Sequence, residues 1–147
     1  MHDIDIMRKY ADILKENDAA YMVDEFTTAY MEAILFAEID DVSGDAFDQS
    51  GFTPGDFSED ALAQIKKDCA QFQDQANLSE LDEIHNDSSI IEANAGHDFW
   101  LTRAGHGAGF WDGDWPEPHA TRLTRLSKKF GEQWVYLGDD NQLHISN

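Results

Sequence analysis

From Glu16 to Ile65 the chain carries thirteen acidic side chains and not one Lys or Arg. A compact fold built from such a stretch has to keep its carboxylates at the surface, because an ionised carboxylate without a partner is strongly disfavoured in an apolar interior. The apolar residues must then gather on one side. An amphipathic helix does this while satisfying its own backbone. Phe26, Tyr30, Ala33, Ile34 and Ala37 fall at the three- and four-residue spacing of such a face, with charge opposite. Asp24 stands where an N-cap is needed, and the spacing predicts a helix continuing to about Ile39.

The same periodicity predicts two further helices in this half. One runs from about Ile4 to Glu16, with Met7, Tyr10, Ala11 and Leu14 on its apolar side. The other is capped by Ser58, buries Leu62, Ile65, Cys69, Phe72 and Ala76, and ends near Asn77. Between them, Asp40 to Phe57 reads as an acidic loop: Gly44, Gly51, Pro54 and Gly55 interrupt any regular pattern, and Phe47, Phe52 and Phe57 pin it. Leu78 to Gly96 is polar and weakly periodic, as a linker would be.

Beyond Gly96 the pattern has period two, with Phe99, Leu101 and Arg103 on one side and Trp100 and Thr102 on the other. The glycine-rich run Ala104 to Gly109 then predicts a tight turn, and Phe110 and Trp111 a returning strand. Pro118 suits the opening of a helix that buries Ala120, Leu123, Leu126 and Phe130 and stops at Gly131. Its Arg122, Arg125, Lys128 and Lys129 complement the helix dipole. Trp134 to Leu137 and Leu143 to Ile145 flank the turn residues Gly138 to Asn141 and predict a second hairpin. The expected fold is α+β: three N-terminal helices followed by a small β-β-α-β-β unit. Residues 1–80 form the acidic helical region, 81–96 the linker and 97–147 the β-rich unit, within one compact domain.

Charge decides which functions are open. The net charge is −20, yet residues 1–98 hold 24 acidic and 5 basic side chains, whereas residues 99–147 hold 6 and 5. The acidity of a halophile would coat the whole surface; this acidity is localised. An apolar fraction of 41% argues against global disorder. One cysteine allows no intramolecular disulfide, and no leader-like segment opens the chain, so a reducing cytoplasm is expected. No apolar run approaches the roughly 20 residues that span a bilayer, so no membrane role is expected. The acidic half repels phosphates, which excludes direct nucleic acid binding through it. A dense carboxylate array can instead occupy the cleft of a basic, nucleic-acid-handling protein. The candidates for that contact are Asp40, Asp41, Asp45, Asp48, Asp56, Glu59 and Asp60.

The segment Gly96-His97-Asp98-Phe99-Trp100-Leu101-Thr102-Arg103-Ala104-Gly105-His106-Gly107-Ala108-Gly109-Phe110-Trp111-Asp112 resembles a family of small proteins of tailed phages and prophages. The likeness extends to Phe26 through Ala33 and to Tyr136 through Asp140, covering roughly residues 24 to 145. It implies a phage origin, expression in the cytoplasm of an infected bacterium, and an accessory role upon host machinery. It transfers no catalytic residue. The chain departs from the family pattern at Ala104, where a polar residue is more familiar, and in the insert Asp112 to His119.

Within this segment His97, Asp98, Arg103, His106 and Asp112 form the densest set of chemically versatile side chains, with Asp114 and His119 nearby. Imidazoles and carboxylates suit zinc or iron, but the spacings match no metal motif, so neither metal nor cofactor is expected. The Gly105 to Gly109 turn, with Arg103 beside it, lacks the Lys-Ser or Lys-Thr ending of a phosphate-binding loop. Phe99, Trp100, Phe110, Trp111 and Trp115 read as core. Cys69, on an apolar stripe, reads as an inert buried thiol. There is no Gly-x-Ser-x-Gly elbow, and Asp40 to Asp45 fails the calcium-loop pattern. The expected function is that of a non-enzymatic phage accessory protein whose acidic face binds a basic host protein as an inhibitor or DNA mimic. The alternatives are a small metal-dependent enzyme or ligand-binding module using His97 to His119, and an oligomeric structural protein.

Overall fold

The computed structural model describes residues 23–81 and 88–146, with side chains of 88 and 89 excepted. Among these, four α-helices precede one two-stranded antiparallel sheet. Helix α1 (Glu25–Ala37) starts where its cap dictates, the Asp24 carboxylate accepting from the Thr27 N–H at 2.8 Å. Hydrogen bonds from Thr27 and Gln73 outweigh partial burial and hold that carboxyl below its ordinary range. Helix α2 (Glu59–Ala76) is capped by the Ser58 hydroxyl, which accepts from Ala61 N–H at 3.1 Å. It stops where Asn77 turns left-handed (φ 54°), a conformation Asn tolerates better than most residues. Helix α3 (Ser88–Ala104) and helix α4 (His119–Lys129) follow, and strands β1 (Trp134–Leu137) and β2 (Leu143–Ser146) pair with Trp134 opposite Ser146. The sheet is anchored to α2, since Ser58 N–H donates to the Leu143 carbonyl at 2.9 Å.

The expected α+β fold, three N-terminal helices followed by a β-β-α-β-β unit, is corrected: the described chain is mostly helical, and the segment read as a first hairpin is the C-terminal half of α3 and the irregular loop behind it. The physical reason is burial on nearly every side. Asp98 through Arg103 are six consecutive buried residues, so both sides of the apparent alternation are filled and period two carries no information. A four-residue spacing is present instead in Ile91, Ala95 and Phe99, all at most 1% exposed. The glycine-rich run ends a helix rather than closing a hairpin: Gly105 N–H donates to the Leu101 carbonyl at 3.1 Å, and Gly105 takes φ 73°. The span 81–96, expected as linker, is helical from 88 onward, and 82–87 lie outside the described residues. So does the helix expected at Ile4 to Glu16.

One apolar cluster takes side chains from all four helices and from β2. The Phe99 ring is at its centre, with ring centroids 4.1 Å from Phe72, 5.1 Å from Tyr30 and 5.2 Å from Phe130. Trp100 and Phe110 are fully buried, as the sequence leads one to expect, but Trp111 is half exposed. α1 and α3 pass close together at Gly96, where a Cβ would overlap the Phe26 carbonyl oxygen. Alanine at position 96 gains about 1 kcal/mol of helix propensity, but the clash is with backbone, which cannot rotate away. Gly96→Ala is therefore expected to lower stability by about 1–3 kcal/mol, read as a lower urea midpoint; an equal or higher midpoint would show that the two helices do not touch there.

Candidate functional site

Helix α3 sends the densest residues of the sequence in two directions. Arg103 turns inward, 4% exposed. Its Nη1 donates to Asp68 Oδ2 at 2.8 Å and to the Tyr30 hydroxyl at 3.1 Å, while Nε and Nη2 donate to the carbonyls of Gly131 and Phe130, each at 2.9 Å. The guanidinium carbon also lies over the rings of Phe99 and Phe130, 5.3 and 5.7 Å from their centroids. Burial pushes the Tyr30 phenol far up, so it stays neutral beside this charge. Arg103 is thus a structural tie and is not beside an anion-binding turn. Burial likewise pushes the Cys69 thiol up, and it is no nucleophile at neutral pH.

Turned the other way, His97, Asp98 and Asp112 line one cleft of about 620 Å³, together with Asn94, Asp114 and Trp115. Asp98 is 8% exposed; its Oδ2 accepts from Trp115 Nε1 at 2.6 Å, and its Oδ1 is 3.5 Å from His97 Nδ1. Asp112 folds back to accept from Gly109 N–H at 3.3 Å. Among the described residues the lining holds no hydroxyl or thiol side chain beside the His97–Asp98 pair. What the cleft offers is carboxylate acceptors, suited to a guanidinium or ammonium group. Among the described residues, no group of three or more His, Cys, Asp and Glu side chains is arranged to hold a metal ion.

His106 stands apart from this cleft. Its Nε2 is 2.5 Å from Glu38 Oε2, the same oxygen that accepts from the buried Trp100 indole at 2.9 Å. His119 is beside Arg122, 3.4 Å from its guanidinium. The acidic loop and the first turn of α2 keep most of their carboxylates outward: Asp41, Asp45, Asp48, Glu59 and Asp60 are exposed and Asp56 is half-buried. Asp40 is the exception, buried and accepting from Val42 N–H at 3.0 Å while its backbone N–H donates to Asp45. It shapes the loop. Phe36, Ile39 and Val42, respectively 65%, 53% and 88% exposed, stand in the same stretch, and the Phe36 ring reaches His97 with centroids 6.4 Å apart.

Glu38, Asp68 and Asn94 escaped the sequence reading, and Tyr30 was read only as part of an apolar stripe, without its hydrogen bond to Arg103. Asp68 had a visible signal, because it sits three residues after Ile65 and four before Phe72, a charge on an apolar stripe that requires a partner. Nothing local marked Glu38, whose partners lie 62 and 68 residues away. Compared with family models, curated proteins and solved structures, the chain matches none. No helix among the described residues is long and apolar enough to cross a membrane.

Replacing Arg103 with Met should leave the Asp68 carboxylate buried and unpaired and lower stability by about 3–5 kcal/mol. Adding Asp68→Leu to that variant should recover most of the loss. Chemical denaturation of the two single variants and the double variant checks this; additive losses would mean that the pair is not coupled.

Proposed function

We propose that this protein acts by binding, presenting an acidic face to a basic macromolecular partner. The observation that carries the reading is the stretch from residue 23 to 65, which holds eleven carboxylates and no cation, eight of them exposed. Helices α1 and α2 direct their apolar stripes inward, which leaves Glu25, Glu32, Glu59 and Asp60 to solvent, and the loop between them adds Asp41, Asp45 and Asp48. Phe36, Ile39 and Val42 add exposed apolar side chains in the same stretch of sequence, the residue type expected at an interface core. In the setting that the phage resemblance implies, the partner is a host protein that handles nucleic acid, whose cations the carboxylates meet in place of phosphates. The role is accessory and non-enzymatic.

Exposed carboxylates act through a field screened over about 8 Å at physiological ionic strength, so capture should be strong at low salt and steeply weaker at high salt. Capture from bacterial lysate at two salt concentrations, followed by affinity measurement on the purified partner, tests this. Replacing Asp41, Asp45 and Asp48 together by Asn should weaken binding by about tenfold with no change in melting temperature. Asp40 is left out because it holds the loop. Unchanged affinity in the triple variant would remove the loop from the interface, and salt-insensitive capture would point to an apolar contact instead.

A further inference from the structure

Seven Lys and Arg side chains lie among the described residues, and four of them stand on α4. Arg122 donates to the Ala76 carbonyl at the end of α2. Arg125, Lys128 and Lys129 are exposed and have no hydrogen-bond or ion-pair partner among the described residues, in a chain with 30 carboxylates. Beside them runs a groove of about 330 Å³ lined by Trp111, Glu117, Thr121, Thr124, Arg125 and Lys128. Trp111 is 53% exposed, whereas Phe99, Trp100 and Phe110 of the same segment are fully buried, so its indole is open to solvent beside the cations. Glu117 accepts from the Thr121 hydroxyl at 2.7 Å and from its N–H at 2.9 Å. Those bonds hold the carboxyl below its ordinary range and keep it an acceptor at neutral pH.

We propose that this groove binds a nucleoside phosphate, with the base stacked on Trp111, the phosphates between Arg125 and Lys128, and Glu117 accepting from the ribose hydroxyls. Each part of such a ligand meets a group suited to it: a π face for a planar base, two cations for the anion, a carboxylate for a diol. An acidic peptide would use the cations but leave the indole idle and be repelled by Glu117. A long nucleic acid strand would run into the field of a chain of net charge −20, whereas one nucleotide suits a groove near the lower end of ligand-pocket volumes. The site is on the opposite charge class of surface from the acidic face, and it does not depend on that face having a partner.

Calorimetric titration of the full chain with ADP, adenosine and inorganic phosphate tests the assignment, with a single-stranded oligonucleotide and an oligo-aspartate peptide as comparisons. ADP should bind about tenfold more tightly than adenosine or phosphate alone. Trp111→Leu should weaken ADP binding by about tenfold with the melting temperature unchanged. Arg125→Gln combined with Lys128→Gln should abolish the preference of ADP over adenosine. ADP binding that is absent at millimolar concentration, or indifferent to Trp111→Leu, would overturn the proposal. So would tighter binding of the oligonucleotide or of the acidic peptide, which would make the groove a docking surface for that polymer.

Discussion

Arg103 reaches from α3 into a space bounded by Asp68 of α2, Tyr30 of α1 and the carbonyls of Phe130 and Gly131 that follow α4. A guanidinium cannot discharge itself by losing a proton, so once buried it must be met by acceptors on all sides. Its planar fork then fixes where each acceptor can be. The carbonyls beyond α4 belong to a helix C-terminus, where partial negative charge is concentrated, and the carboxylate of Asp68 completes the neutralisation. Since buried ion pairs contribute little net stability compared with apolar replacements, the main consequence of the tie is geometric. It allows one depth and one rotation of α3 among its neighbours.

That rotation decides what α3 shows on its other side. With Arg103 inward, Phe99 falls at the centre of the aromatic cluster, and Gly96 falls where α1 passes too closely for any side chain. His97 and Asp98 are then carried toward the loop holding Asp112 and Trp115, and the cleft follows. Trp115 fills its share of that wall by donating its indole N–H to Asp98, which secures the loop to the helix. Gly109, at φ 150°, lies so close to Thr102 that a Cβ would overlap the hydroxyl, and the same hydroxyl accepts from Phe110 N–H at 3.2 Å.

Where apolar periodicity and capping agreed, the fold was legible in the sequence. Asp24, Ser58 and Asn77 bound α1 and α2 as their side-chain chemistry requires, and Gly138 to Asn141 turn the hairpin that their composition indicates. The C-terminal half of α3 was not legible, because the run from Asp98 to Arg103 is buried throughout and leaves no exposed position to reveal its period. Trp100, Thr102 and Arg103 are apolar, neutral and charged, yet all are inside: Trp100 and Arg103 meet partners from distant parts of the chain, and Thr102 meets the Phe110 N–H beyond the helix end. The candidate site was half legible: His97, Asp98 and Asp112 do meet in one cleft, while Arg103 and His106 are drawn elsewhere by Asp68 and Glu38. Only long-range contacts separate these fates, and no spacing rule contains them.

The carboxylates stand in a different relation to the fold. Apart from Asp40, Asp68 and Asp98, few acidic side chains of the described residues are buried, and the cluster around Phe99 would pack as well if the exposed ones were neutral. Mutual repulsion among so many like charges opposes compaction. Solubility is reached at a far smaller net charge than −20. Folding and solubility alone do not call for this much acidity, and a uniform surface requirement does not account for α4, where cations stand together without carboxylate partners among the described residues. We read this segregation, in line with both proposals, as a matter of what the surfaces meet: the acidic helices and loop would steer one kind of partner, and the groove beside Trp111 would stay open to ligands of the opposite charge.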